Sequence, residues 1–325
     1  MSCYHPICGV PDGVTSKGKI HYKLQGEFIR DNKLHPDWIP IPCGRCIGCR
    51  LDQSREWANR MLLELDHYHN KAIFLTLTYN NENAVACKFD DYGNPLAYTL
   101  VKSDFQAFMK RLRSRVEFEN KEIRFYACGE YGSRTFRPHY HAIIFGICVT
   151  DIPGYFAKEM NEFRQMYYSS KWLEDVWTHG FVLFSEVSWQ TCAYVARYVQ
   201  KKAYNEGSVQ EYLNQLPEFS LMSRNPGLGA FYFVDHPERL GETTFYISDS
   251  NGSKEISLPK YFLRKVDKDG NMIYTEYEDY KNRAKLLISD KEFLQLQKTD
   301  LGYLEKLEQD ENRKLVSANN LQRYL

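Results

Sequence analysis

From residue 73 onward the chain alternates in an order that few folds can satisfy: strand, helix, strand, strand, helix, strand, helix. Residues 73–79 (IFLTLTY) are an aliphatic and aromatic run of strand length. In residues 103–115, Phe105, Phe108, Met109 and Leu112 form one helical stripe. Ser103 and Asp104 stand ready to cap that helix, and Lys110, Arg111, Arg113 and Arg115 point outward. Residues 123–131 and 139–145 are strands flanking GSRTFRP, which reads as an antiparallel hairpin. A helix over 155–177, a strand over 181–187 and a helix from Ser188 or Thr191 to Lys202 complete the series. That order predicts an α+β fold, one antiparallel sheet with helices packed on it. Ahead of it, Leu51, Trp57, Met61, Leu62 and Leu65 mark a helix to about residue 68. Residues 80–98, with Asn80, Asn81, Gly93, Asn94 and Pro95, read as a long loop.

With 325 residues the chain has room for about two cores. Lys+Arg and Asp+Glu balance at 42 each, which excludes a uniformly basic polyanion binder but not a basic face. No apolar run nears the roughly 18 residues of a membrane span, and MSCYHPICGV lacks a signal-peptide pattern. A protein without membrane association is therefore expected. Residues 1–202 carry 26 basic and 22 acidic side chains, whereas residues 203–325 carry 16 and 20. The densest basic piece is the Lys110, Arg111, Arg113, Arg115 run, either a solvated helix face or a patch that tracks phosphates. Three segments are expected: a Cys-rich 1–50, a core over 51–230, and a mostly helical 231–325 whose charged stretch runs from about residue 277 to 319.

Three constellations carry chemistry. His139 and His141 alternate onto the same face of their strand, so both imidazoles can converge on one ion. Glu130, nine residues earlier in the hairpin partner, can join them. Two imidazoles and a carboxylate suit a divalent cation such as Mg²⁺ or Mn²⁺. The plainer alternative is a surface Glu130 paired with Arg134 or Arg137. Tyr194, Tyr198 and Lys201 or Lys202 share a helical face, placing two phenols beside a cation. Cys43, Cys46 and Cys49 give three thiols at metal-ligand spacing, one short of a structural zinc tetrahedron, unless they are reduced cysteines around a Gly-rich turn. Cys3, His5 and Cys8 are the candidates for the fourth position. A weaker signal, Ser223 to Gly229, offers Arg224 and backbone that can approach phosphate, or simply a turn.

The segments FLTLTY (74–79), Pro138-His139-Tyr140-His141 and Tyr194 to Lys202 stand in the order of the three motifs of HUH endonucleases, the rolling-circle replication initiators and relaxases. Together with PCGRCIGCRLDQSREW (42–57) and MSRNPGLG (222–229), the chain resembles the initiators of gokushovirus-type microviruses. One departure is Tyr140, where the middle position of the histidine motif is usually aliphatic. The resemblance implies a five-stranded antiparallel sheet related to the ferredoxin-like and RNA-recognition folds. It also implies nicking of single-stranded or supercoiled phage origin DNA in the cytoplasm of a bacterial host. Glu130, His139 and His141 would hold the ion, and Tyr194 and Tyr198 would alternate as nucleophiles. Lys201 or Lys202 would clamp phosphate or donate a proton, and Lys110, Arg111, Arg113, Arg115, Arg134, Arg137 and Arg224 would contact DNA. Cys3 is its choice for the fourth zinc ligand, since related initiators begin with a similar Cys-Tyr-x-Pro. Host helicase or polymerase would be a further partner.

Overall fold

A computed structural model describes residues 3–14, 20–25, 39–116, 123–132, 135–160, 165–201, 214–242, 244–249, 252–262, 294 and 297–322. The chain divides into two compact units, Met1–Gln53 with Glu278–Leu325, and Ser54–Tyr277. In the first unit, β1 (Ile7–Val14) pairs antiparallel with β2 (Ile20–Gln25) and with β3 (Ile39–Ile41).

The elements that follow are α1 (Ile47–His67), β4 (Ala72–Tyr79), β5 (Ala86–Phe89), β6 (Pro95–Tyr98), α2 (Lys102–Arg115), β7 (Arg124–Tyr131) and β8 (Pro138–Phe145). Next come β9 (Tyr155–Met160), β10 (Met166–Ser170), α3 (Lys171–Trp177), β11 (Gly180–Glu186), α4 (Trp189–Lys201) and β12 (Phe219–Met222). Then follow α5 (Tyr232–Asp235), β13 (Thr244–Asp249) and β14 (Gly252–Ser257). The last helix, α6 (Tyr303–Gln322), belongs to the first unit.

The second unit is organised by a seven-stranded antiparallel sheet in the order β12-β7-β8-β4-β11-β10-β9. Alternation sorts its side chains into two cores. On one face, Ile73, Leu75, Leu77, Ala142 and Ile144 meet Phe105, Phe108, Met109 and Leu112 of α2 and Leu173, Val176 and Trp177 of α3. On the other, Phe74, Cys128, Ile143 and Phe145 meet Met61, Leu62 and Leu65 of α1 and Cys192, Val195 and Ala196 of α4. Burying each large apolar side chain contributes roughly 1.5–3 kcal/mol, so the helices are held by their stripes. Both faces are covered across the central strands, which is why β4 and β8 read as apolar runs.

The sheet has seven strands where five were expected. Residues 155–177 supply part of the excess: the expected helix is confined to Lys171–Trp177, while Tyr155–Met160 and Met166–Ser170 are paired strands. Tyrosines 167 and 168 favour the extended chain, and the Ser169 and Ser170 hydroxyls donate to the carbonyls of Val182 and Pro153 at 2.9 and 2.6 Å. The expected 80–98 loop contains the β5–β6 hairpin. Its turn is closed by the Asp90 carboxylate, which accepts from the backbone of Tyr92 and Asn94, with Gly93 at φ +85°. Ser103 and Asp104 do not cap α2. Val101 holds the cap position, its N–H donates to the Tyr140 hydroxyl, and the Asp104 carboxylate accepts instead from the Tyr79 hydroxyl at 2.7 Å. The expected helical 231–325 includes a β13–β14 hairpin that buries Phe245, Ile247 and Ile256 in the α1/α4-side core. Most of residues 277–302 lies outside the described residues, and α6 is the helical part that is described.

One ion pair is sealed inside the second unit. Arg124 Nε lies 2.5 Å from Glu64 Oε1, and both side chains are fully buried. The Arg124 Nη2 donates to the Pro226 carbonyl at 2.6 Å, and the Gly229 N–H donates to Glu64 Oε2 at 2.5 Å. The 222–229 segment is thereby fastened to α1 and β7. Its glycines serve packing: a Cβ at Gly227 would lie 2.4 Å from the Tyr261 hydroxyl. A buried pair is costly to break and cheap to replace as a whole. Glu64→Leu or Arg124→Met alone is expected to lose about 3–5 kcal/mol of stability in urea unfolding, and the double variant to regain most of it.

Candidate metal centre

Pairing register builds the centre. Glu130 lies opposite His139 and Cys128 opposite His141 across β7–β8, while Thr78 and Thr76 lie opposite the same two histidines across β4–β8. Directly opposed residues share a face, so the two imidazoles and the carboxylate converge. Glu130 Oε1 is 2.7 Å from His139 Nε2 and 2.9 Å from His141 Nε2. The outer ring nitrogens are held as well: His139 Nδ1 meets the Arg137 carbonyl at 3.1 Å and His141 Nδ1 meets the Thr76 hydroxyl at 2.9 Å. A carbonyl only accepts, so Nδ1 of His139 is the donor in that contact, which leaves Nε2 directed at the carboxylate. The second carboxylate oxygen, Glu130 Oε2, is buried with no hydrogen-bond partner among the described residues. The donor set therefore fits a divalent cation, with ring orientation fixed by groups outside the ligands.

Burial alone would raise the Glu130 pKa, but hydrogen bonds and charge from His139 and His141 outweigh it and hold the carboxyl at about 2. The side chain is thus a carboxylate wherever the protein is folded near neutrality, as a metal ligand must be.

The tyrosine helix adjoins this centre. Ser188 and Thr191 exchange hydrogen bonds at the start of α4, the Ser188 N–H reaching the Thr191 hydroxyl at 2.9 Å and the Thr191 N–H the Ser188 hydroxyl at 3.4 Å. Tyr194 then packs edge-on against His141, with ring centroids 5.4 Å apart, and against Phe74 at 6.0 Å. Phe74 in turn stacks on His141 at 5.5 Å and 10°. Tyr198 and Lys201 follow on the same helix with side chains outside the described residues, and Lys202 lies outside them altogether.

The basic residues are dispersed. Lys110, Arg111, Arg113 and Arg115 ride on α2, across the sheet from the metal centre. Arg111 caps α3, donating to the carbonyls of Val176 and Trp177 at 2.7 and 2.9 Å, and Arg113 donates to the Ile123 carbonyl. Arg137 adjoins the centre, Arg224 is exposed in the 222–229 turn, and Arg134 lies outside the described residues. Thr76 and Phe74, which orient His141, were not singled out in the sequence. Their signal is strand register, which only pairing reveals.

A second cluster occupies the first unit. The sulfurs of Cys3, Cys43, Cys46 and Cys49 lie within 4.8 Å of one another, with Cys3–Cys46 at 3.9 Å and Cys43–Cys49 at 4.0 Å. Backbone N–H groups point at them: Cys43 to the Cys3 sulfur, Arg45 and Cys46 to that of Cys43, and Tyr4 to that of Cys46. Burial would raise the Cys43 thiol, but the N–H groups of Cys46 and Arg45 outweigh it and bring it to about 7. Cys3 is thus the residue that joins the three clustered cysteines. His5 is turned to Glu311, with Nε2 2.5 Å from Oε2, and the Cys8 side chain lies outside the described residues.

This arrangement of strands, paired histidines and tyrosine helix sits within residues 72–203, which match the family model for replication-associated proteins of the ORF2 type. The chain is 31% identical to Replication-associated protein ORF2 of Spiroplasma virus 4, over 83% of this chain and 81% of that one. It is 31% identical to Replication-associated protein VP4 of Bdellovibrio phage phiMH2K, over 91% and 85%, and 28% identical to Replication-associated protein ORF4 of Chlamydia phage 1, over 77% and 60%. The chain belongs to this family of phage replication-associated proteins, the rolling-circle initiators of microvirus-like phages. No solved structure matches it. Among the described residues no helix is long and apolar enough to cross a membrane.

The low value at Glu130 has a consequence for stability. A carboxyl whose folded pKa lies below its ordinary 4.5 stabilises the fold fully above that value and loses the contribution as pH falls toward 2. Glu130→Gln is expected to flatten the acid limb of unfolding free energy between these limits by roughly 3 kcal/mol, measured by urea titration across pH.

Proposed function

We propose that this protein nicks and rejoins single-stranded DNA at a phage origin, with a tyrosine of α4 as nucleophile. The observation that carries the reading is the convergence of Glu130, His139 and His141 beside Tyr194. Glu130 and the two histidines hold a Mg²⁺ or Mn²⁺ ion, which when bound supplies Lewis-acid polarisation of the scissile phosphate. The phenol oxygen of Tyr194 or Tyr198 attacks phosphorus, the bond to the 3′ oxygen breaks, and a 5′-phosphotyrosyl link and a free 3′-OH result. Lys201 or Lys202 neutralises phosphate charge or protonates the leaving oxygen. The second tyrosine repeats the exchange to release a unit-length strand. Labelled single-stranded origin DNA with Mn²⁺ is expected to leave label on the denatured protein. Both the Tyr194→Phe/Tyr198→Phe variant and His139→Ala lose it; cleavage without an adduct would assign water as the nucleophile, and binding without cleavage would leave a binding module. Host replication proteins remain proposed partners on the family resemblance alone.

The cysteine cluster we assign to zinc. Four thiolates about 2.3 Å from one ion stand roughly 3.8 Å apart, close to the 3.9 and 4.0 Å separations here, and a complete set of protein ligands leaves no position for substrate. One zinc per chain is expected in the purified protein by elemental analysis. Cys43→Ser should lose it and lower the melting temperature; a zinc content near zero would remove the assignment.

A further inference from the structure

Beside the metal centre the sheet bears an open groove of about 430 Å³, lined by Thr78, Tyr79, Asn80, Asn81, Glu82, Arg137 and Phe181. Its position follows from register. Glu130, His139, Thr78 and Phe181 are successive cross-strand partners through β7, β8, β4 and β11, so their side chains stand in one row on one face. At roughly 4.8 Å per strand, Phe181 lies about 10 Å from His139, one or two nucleotides along a DNA strand.

Phe181 is 62% exposed although β11 is an interior strand, flanked by β4 and β10. The polar rim is fixed in advance. Arg137 Nη1 donates to the Asn81 side-chain oxygen at 2.7 Å, Nη2 donates to the Tyr79 carbonyl at 3.1 Å, and the guanidinium lies 5.6 Å from the Tyr98 ring centre. The Asn80 side-chain oxygen accepts two bonds from Asn83, and the Asn80 N–H donates to the His179 carbonyl at 2.9 Å. Gly180, at φ +150°, lets this loop close on β11: a Cβ there would stand 2.4 Å from the Asn80 nitrogen.

We infer that this groove seats one unpaired base of the DNA strand whose phosphate lies at the metal centre, with Phe181 stacking on the ring and the Asn81–Arg137–Glu82 rim meeting its polar edge. The inference rests on the nicking reading and names where that reaction grips its substrate. A phosphate would call for a surplus of cations, whereas Arg137 and Glu82 cancel. A flat, uncharged ring with a polar edge matches one aromatic face and a neutral polar rim.

The test separates grip from chemistry. Full-length protein is titrated with fluorescein-labelled dT₁₂ in EDTA, where no cleavage occurs, and anisotropy is read. Phe181→Ala is expected to weaken binding about tenfold, within the range for one base–aromatic stack. Phe181→Trp should retain wild-type affinity, and its added indole emission should be quenched at saturation. Tyr246→Ala, an exposed aromatic on the β13–β14 hairpin, should bind as wild type. Wild-type affinity in Phe181→Ala, or indole emission untouched by DNA, overturns the inference. Because the adduct assay with Mn²⁺ is separate, its failure with these shifts intact would sink the tyrosine mechanism and leave the groove.

Discussion

The register of three strands decides whether Glu130, His139 and His141 meet at all. Glu130, His139 and Thr78 are cross-strand partners, as are Cys128, His141 and Thr76. The side-chain period of a strand is two, so a slip of one residue would carry both histidines into the packed core beneath α2 and α3. What prevents the slip is the apolar pattern on that opposite face. Tyr140, Ala142 and Ile144 are buried there, and the Tyr140 hydroxyl is bonded to Tyr79 and Val101. The aromatic middle residue of the histidine motif thus does positional service: its hydroxyl pins β8 to the start of α2 from the side away from the chemistry.

The two faces of the sheet differ in how far they are closed. On the α2/α3 side the central rows are covered to their ends, as buried Tyr79 and Tyr131 show. On the other side, α1 and α4 cover the rows through Phe74 and Ile143, and cover thins at Thr76 and Thr78, leaving Phe181 in the open. Zero net charge suits such a layout. Arg111 and Arg113 are spent on carbonyls, Arg124 on Glu64, and Arg137 on the loop after β4. Cations at these places hold structure, and grip on a polyanion would come from a few specific contacts rather than from a basic field.

Much of this was legible in the sequence for physical reasons. β4, β7, β8 and β11 have patterns that only buried strands satisfy, and the α2 stripe of Phe105, Phe108, Met109 and Leu112 is buried as its spacing demands. His139, His141 and Glu130 were readable because alternation and hairpin pairing are local rules. The outer strands were not. β9 is exposed throughout, so no core pattern marks it, and 155–177 reads as helix until the sheet edge claims it. The α2 cap failed for a related reason, since Tyr79 took the Asp104 carboxylate through a contact remote in sequence. Phe181 as an exposed ring and Thr76 as a brace for His141 depend on strand order, which periodicity does not encode.

The first unit draws on both ends of the chain, 1–53 and 278–325, with His5 reaching Glu311. Synthesis runs in one direction, so the residues that hold the cysteine cluster are made well before α6, with the whole second unit between them. A chain cut short between residues 223 and 277 has every strand of the large sheet and lacks the later half of this unit. The unit that holds the cysteine cluster therefore needs chain from beyond residue 277, whereas the unit that carries the paired histidines does not.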